Sequence, residues 1–177
     1  MKYYVFALKP AANAHEVVTS VLHRTDQDWT TTETRKLQFA HVGAAIVVRT
    51  NQEPIGIPCK SETVDFSNGQ QLKILVVLPA QKRAREYRSA PAMRTRSEMI
   101  EYATALLAAH GAAIDTIDCK PADSVTLKKD KRIAVVSAMQ VIATATITDS
   151  QSFGIAYDQG IGREKSLGFG MLLVKEF

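Results

Sequence analysis

Two kinds of apolar spacing alternate along this chain in one order, twice, and that order limits the fold more than any other feature. Tyr3 to Leu8 is an aromatic and β-branched run ended by Pro10, which predicts a strand. Asn13 precedes Glu16 by three residues in a capping-box pattern. Ala14, Val17, Val18, Val21 and Leu22 then follow helical spacing, so a helix is predicted from Ala14 to Arg24. Arg35–His41 and Ala44–Thr50 read as strands joined by a tight turn at Val42-Gly43. Strand, helix, strand, strand is the opening of a ferredoxin-like unit. No second helix is evident across 51–70, which carries Pro54, Gly56, Pro58 and Gly69, so this first unit is expected to be truncated.

The second pass begins with Leu72–Leu78, a buried-strand run stopped by Pro79. Ser97 is the expected cap of a helix striped by Met99, Ile100, Ala103, Leu106, Leu107 and His110 and closed at Gly111. Ala112–Cys119 is a predicted strand. Ile133–Ile147 alternates with period two, long enough to require a bulge or bend. Asp149 or Ser150 caps a short helix with Phe153, Ala156 and Tyr157 inward, and Phe169–Val174 is the expected last strand. The fold class is therefore α+β: two tandem ferredoxin-like (RRM-like) units, 1–70 and 71–177, the first truncated.

Of 177 residues, 46% are hydrophobic, enough to bury a core in one domain or two small ones. Cys59 and Cys119 lack CxxC or Cys/His spacing, which implies reduced, buried thiols in a cytoplasmic protein and no structural zinc. The apolar start is too short for a signal peptide, and no run nears the ~20 apolar residues of a membrane span.

The net charge of +4 points weakly to an anionic partner, but its distribution is uneven. Lys82, Arg83, Arg85, Arg88, Arg94 and Arg96 are opposed only by Glu86, so one segment exceeds the excess of the whole chain. Arginine dominates there, and its planar fork suits phosphate and base edges. A solvated loop is the alternative. Near the C-terminus, Gly160, Gly162, Gly168 and Gly170 enclose Arg163 and Lys165 just before an apolar run. Such a loop can approach a phosphate chain through its backbone, but it lacks the GxxxxGK spacing of a Walker loop. Packing the last helix on the sheet is its structural role.

Four stretches together resemble the CRISPR-associated repeat-processing proteins, and among them the CasE type, the crRNA-maturation endoribonuclease of the Cascade complex. They are Leu22-His23-Arg24-Thr25, Leu72–Arg83, Thr95–Leu107, and Thr146-Ile147-Thr148-Asp149 through Val174. The resemblance implies that His23 is catalytic. It implies a tyrosine one turn earlier in some members, where this chain has Ser20, and an assisting lysine, for which Lys128, Lys129, Lys131 and Arg132 are candidates, Lys129 being the one carried forward. The implied reaction is metal-independent cleavage of a stem-loop repeat RNA by its own 2′-hydroxyl, with no cofactor. The implied partners are that RNA and other subunits of a Cascade-like complex. Expected RNA contacts are Lys82, Arg83, Arg85, Arg88, Arg94, Arg96, Lys128, Lys131, Arg163 and Lys165.

His23 carries a geometric argument of its own. At about 100° per residue, it falls opposite the apolar stripe, with Glu16 and Thr19, and so outside the core. His15 at the stripe's edge, His41 at a strand end and His110 at a helix end are given structural roles. A non-cleaving RNA-binding subunit of the same superfamily is the alternative reading, and a generic interaction or small-ligand module on the same scaffold is a third.

Overall fold

In the computed structural model, the described residues are 1–9, 11, 14–23, 37–82, 92–129 and 132–176, with backbone alone at 15, 21–23, 127–129 and 132–134. They form two four-stranded antiparallel sheets. The first holds β1 (Lys2–Leu8), β2 (Leu37–Val42), β3 (Ala45–Thr50) and β4 (Lys60–Thr63) in the order β2-β3-β1-β4, with α1 (Ala14–His23) following β1. The second holds β5 (Gln71–Pro79), β6 (Ala112–Lys129), β7 (Arg132–Ile147) and β8 (Leu173–Glu176) in the order β6-β7-β5-β8. Helix α2 (Arg96–Ala108) lies between β5 and β6, and α3 (Ser150–Gln159) between β7 and β8. The two orders are equivalent. The connection from β3 to β4 contains no helix, which is the shortening expected of the first unit.

Helix α2 is started by Thr95, not Ser97: the Thr95 side chain accepts from the Glu98 amide, and the Glu98 carboxylate accepts from the Thr95 amide. This reciprocal capping box satisfies two donors that would otherwise be orphaned at the helix start. Its cap at the other end is Ala109, with left-handed Gly111 two residues later. Helix α3 begins at Asp149 as expected, whose carboxylate accepts from the Gln151 and Ser152 amides. The buried residues Met99, Ala103 and Leu107 of α2 and Phe153, Ala156 and Tyr157 of α3 share one core with Leu72, Ile74, Val76 and Leu78 of β5 and Val141, Ala143 and Ala145 of β7. A smaller core joins Val18 of α1 to Phe6, Phe39, Ile46 and Val48.

Two expectations are corrected. The predicted strand Ala112–Cys119 continues to Lys129 and pairs with β7 over a long hairpin bent by bulges at Ile114/Thr116 and Ala122/Val125. Lys128, Lys129 and Arg132 therefore belong to the hairpin's end rather than to a loop before the strand. The last strand starts at Leu173, because Phe169–Leu172 is buried without joining a ladder. Cys119 is buried and Cys59 half-buried, both as free thiols. Among the described residues no helix is long and apolar enough to cross a membrane.

Candidate nucleic-acid site

The glycine-rich segment is a folded loop closed on itself. The Ile161 amide donates to the Gly170 carbonyl (2.8 Å), and the Gly170 amide to Val77 of β5 (2.9 Å). At Gly170, φ is +80°, and a Cβ would lie 1.9 Å from the Ile161 oxygen, so no side chain fits there. At Gly168 a Cβ would lie 2.7 Å from the Phe39 ring of β2, so a bare backbone lets the loop rest on the first unit. Gly160 and Gly162 also have positive φ. Between Gly162 and Gly168 runs a single 3-10 turn, Lys165–Leu167, which packs against α1.

That contact leaves a cleft of about 340 Å³ between the units. Thr19 of α1, Gln38 of β2, Gln159 of α3, and Lys165 and Ser166 of the loop supply its polar groups, over a floor that includes Phe39, Phe169 and Met171. Lys165 Nζ donates to the Gly160 carbonyl at 3.5 Å, a long contact that leaves it donors to spare. His23 ends α1 one turn beyond Thr19, and residues four apart share a helix face. Its side chain, like those of Lys128, Lys129 and Arg132, is not among the described ones, and Arg83, Arg85, Arg88 and Lys131 lie outside the described residues. Ser20 is exposed and donates its hydroxyl to the Val17 carbonyl (2.9 Å).

One side of the cleft is held by a buried cation. Arg49 of β3 is only 3% exposed. Its guanidinium donates to the Leu172 carbonyl (2.8 Å), the Tyr157 carbonyl and the Gln38 side-chain oxygen, and lies 3.5 Å from the centre of the Tyr157 ring. Tyr157 and Leu172 flank the glycine loop, so one residue of the first unit grips both ends of the loop in the second. The Tyr157 hydroxyl in turn donates to Glu62 of β4, and the Tyr3 hydroxyl to Asp158. Burial pushes the Tyr157 phenol up to about 12 and lowers the Arg49 pKa from its ordinary value. Arg49 claims the Gln38 oxygen, and the Gln38 Nε2 group, beside Gly160, is buried and without a partner among the described residues.

The basic segment is less available than its charge count suggests. Lys82 pairs with Glu98 at 2.5 Å, and Arg96 with Asp118 at 2.5 Å. Arg94 donates to the Pro79 and Gln81 carbonyls and stacks on Tyr102, and Arg163 donates to the same Gln81 carbonyl. His41 is half-buried against the loop at Gly168. Burial lowers its pKa, opposed by Asp123 and the Leu167 carbonyl. Sequence reasoning missed Gln38, Arg49 and Thr19. Only an arginine in the middle of an apolar strand, Val47-Val48-Arg49, offered a signal.

Compared with known families, residues 4–176 match the family described as CRISPR associated protein. The chain belongs to this family. No curated protein sequence matches it. Among solved structures it is similar to Cse3 of Thermus thermophilus bound to an RNA representing a pre-cleavage complex, with a TM-score of 0.74, 16% identity and 98% of each chain covered. It is also similar to the CRISPR-associated protein Cas6e from Escherichia coli K-12, with a TM-score of 0.70, 15% identity and all of both chains covered. A chain of a CRISPR RNA-guided surveillance complex matches with a TM-score of 0.68 and 17% identity, over 98% of this chain and 100% of that one. The tandem ferredoxin-like fold of this CRISPR-associated protein is thus that of the CasE type, as the sequence resemblance implied.

Proposed function

We propose that this protein is an endoribonuclease that binds the stem-loop repeat of a precursor CRISPR RNA and cuts it in the cleft between α1 and the glycine-rich loop. The observation that carries the reading is the convergence, on one cleft, of the polar face of α1, an unspent lysine and an unpartnered amide. The fold shared with RNA-bound Cse3 supports it. His23, one turn beyond Thr19, takes the proton of the 2′-hydroxyl beside the scissile phosphate. The 2′-oxygen attacks phosphorus, the bond to the 5′-oxygen of the next nucleotide breaks, and that oxygen takes up a proton. The products are a 2′,3′-cyclic phosphate and a 5′-hydroxyl. Imidazole suits this work because its ordinary pKa lies near neutrality. Lys165 and the Gln38 amide supply positive potential where negative charge grows on the phosphoryl oxygens. No step requires a metal ion. Lys129, at the end of β6, is the lysine that assists His23, and Lys128 and Lys131 hold phosphates of the stem. The protein then joins a Cascade-like assembly, as its likeness to a surveillance-complex chain supports.

The test is cleavage of a stem-loop repeat RNA in the presence of EDTA. Wild-type protein cuts it, and His23→Ala lowers the single-turnover rate by about 10²–10⁴-fold while binding stays intact. Uncut RNA with wild-type protein refutes the nuclease reading. A second reading, a non-cleaving RNA-binding subunit, is favoured by Ser20, whose hydroxyl is turned onto its own helix where a catalytic tyrosine would stand. It predicts tight RNA binding without product at any pH.

A further inference from the structure

The glycine loop has a second side, away from the cleft, and two like charges meet there. Arg94, just before α2, and Arg163, in the loop, both donate to the Gln81 carbonyl, at 2.7 and 2.6 Å. The main chain fixes this meeting point: Gln81 pairs with Met93 in an isolated bridge, and the Arg94 amide donates to Ala80. Gly162, next in the chain to Arg163, lies against Tyr102 and Leu106 of α2, and Arg94 stacks on the Tyr102 ring at 4.0 Å. Arg163 opposes the charge on Arg94, whose pKa is lowered by burial first and by Arg163 in addition. The carboxylate acting on Arg94 is Glu98, already committed to Lys82 through one oxygen and to the Thr95 amide through the other. Two guanidinium groups carry ten N–H donors. Three contacts, to Pro79 and Gln81, are all that engage them among the described residues. Both residues are half-buried, so neither charge is fully dispersed into solvent.

We propose that Arg94 and Arg163 form a phosphate-binding site, distinct from the cleft, that holds one backbone phosphate of the bound RNA. Two planar forks converging on a single carbonyl leave further N–H groups close together for the oxygens of a phosphoryl group, a partner that arginine suits. A bound dianion or diester removes the repulsion that the fold otherwise tolerates. That the phosphate is RNA's rests on the nuclease reading; that the site takes phosphate does not.

The experiment has two arms. In the first, the ¹⁵Nε–H signals of the full chain's arginines are followed as inorganic phosphate is added at pH 7. Saturable shifts of the Arg94 and Arg163 signals, absent for the Asp118-paired Arg96 and lost for Arg94 in Arg163→Gln, support the site. No saturable shift, or equal shifts at all three, overturns it. Glu86, outside the described residues, is removed as a control for an internal anion. Shifts that appear only in Glu86→Gln mean an internal ion pair and also overturn the proposal.

In the second arm, repeat-RNA affinity is measured across a salt series. Arg163→Gln flattens the slope of log K against log salt by about 0.7–0.9, the share of one phosphate. It also weakens binding about tenfold at low salt. An unchanged slope overturns the RNA assignment. If phosphate shifts both arginine signals while wild-type protein never cuts RNA, the nuclease reading falls and the site stands.

Discussion

Replacing Arg49 by methionine keeps the apolar stem and removes the guanidinium that spans the two units. Three acceptors then lose their donor: the Leu172 carbonyl, the Tyr157 carbonyl and the Gln38 side-chain oxygen. A buried polar group left unsatisfied costs about 1–3 kcal/mol. Against this, the variant no longer buries a cation, and among the described residues no carboxylate touches Arg49 directly, since Glu62 acts on it from across the Tyr157 hydroxyl. The lost stacking on the Tyr157 ring at 3.5 Å adds about 1–2 kcal/mol when desolvated. Set against that relief, the lost hydrogen bonds and stacking leave a net loss of about 3–5 kcal/mol. At about 2–4 °C per kcal/mol for a chain of this size, Tm falls by roughly 10 °C. Arg49→Lys keeps the charge but cannot reach three acceptors from one planar group, and falls between the two. Circular dichroism melts at neutral pH, with urea titrations to check that m is unchanged, measure this directly. If Arg49→Met melts within about 2 °C of wild type, the guanidinium is not the strut between the sheets, and the account of the cleft wall is wrong.

Two further outcomes follow from the loop and its neighbours. Gly170→Ala costs about 2–5 kcal/mol, a left-handed residue forced onto the Ile161 carbonyl, whereas Gly43→Ala, with nothing within 4 Å, costs only about 1 kcal/mol of backbone strain; equal losses in urea unfolding would contradict the close approach. His41 has a folded pKa below its ordinary 6.5, because burial disfavours the imidazolium. The unfolded chain therefore binds that proton more readily, the stability contributed by neutral His41 is complete above pH 6.5, and it is lost as pH falls through the folded value. Urea midpoints from pH 7.5 to 5 decline in wild type and decline less in His41→Gln; parallel curves mean the ring is not desolvated.

Local spacing carried most of the fold because each element's burial matches its own period. The strands β1, β3 and β5 and the Met99–Ala103–Leu107 stripe of α2 each appear where the sequence predicts them. The errors have physical sources. β6 runs past the predicted end at Cys119 and through Pro121, which it can do because β6 is the edge of its sheet, where a missing N–H need not cost a ladder bond. β8 starts at Leu173, not at the predicted Phe169, because Phe169, Met171 and Leu172 are apolar through burial and not through strand pairing. Thr95 and Glu98 stand three apart, the spacing of a capping box, and the cap is Thr95 where Ser97 is expected. Gln38 and Arg49 could not be read as a site at all: their meaning arises from contacts between the two units, eleven residues apart in sequence but facing a loop more than a hundred residues away.

The charge count shows the same limit from another direction. From Lys82 to Arg96 the sequence holds six cations against one carboxylate, and a uniform reading makes every one a phosphate contact. Folding brings Glu98 and Asp118 onto Lys82 and Arg96, so two of those charges are met by carboxylates from outside the window or at its edge. The same folding brings Arg163 from the C-terminal loop onto Arg94, which gathers positive potential where the sequence separates it by 69 residues. An RNA strand responds to the folded field. The discriminating comparison is therefore Arg96 against Arg163. If losing the solvent-exposed, carboxylate-paired Arg96 flattened the salt dependence of RNA binding as much as losing Arg163, simple charge density would suffice, and the convergence on Gln81 would carry no special affinity.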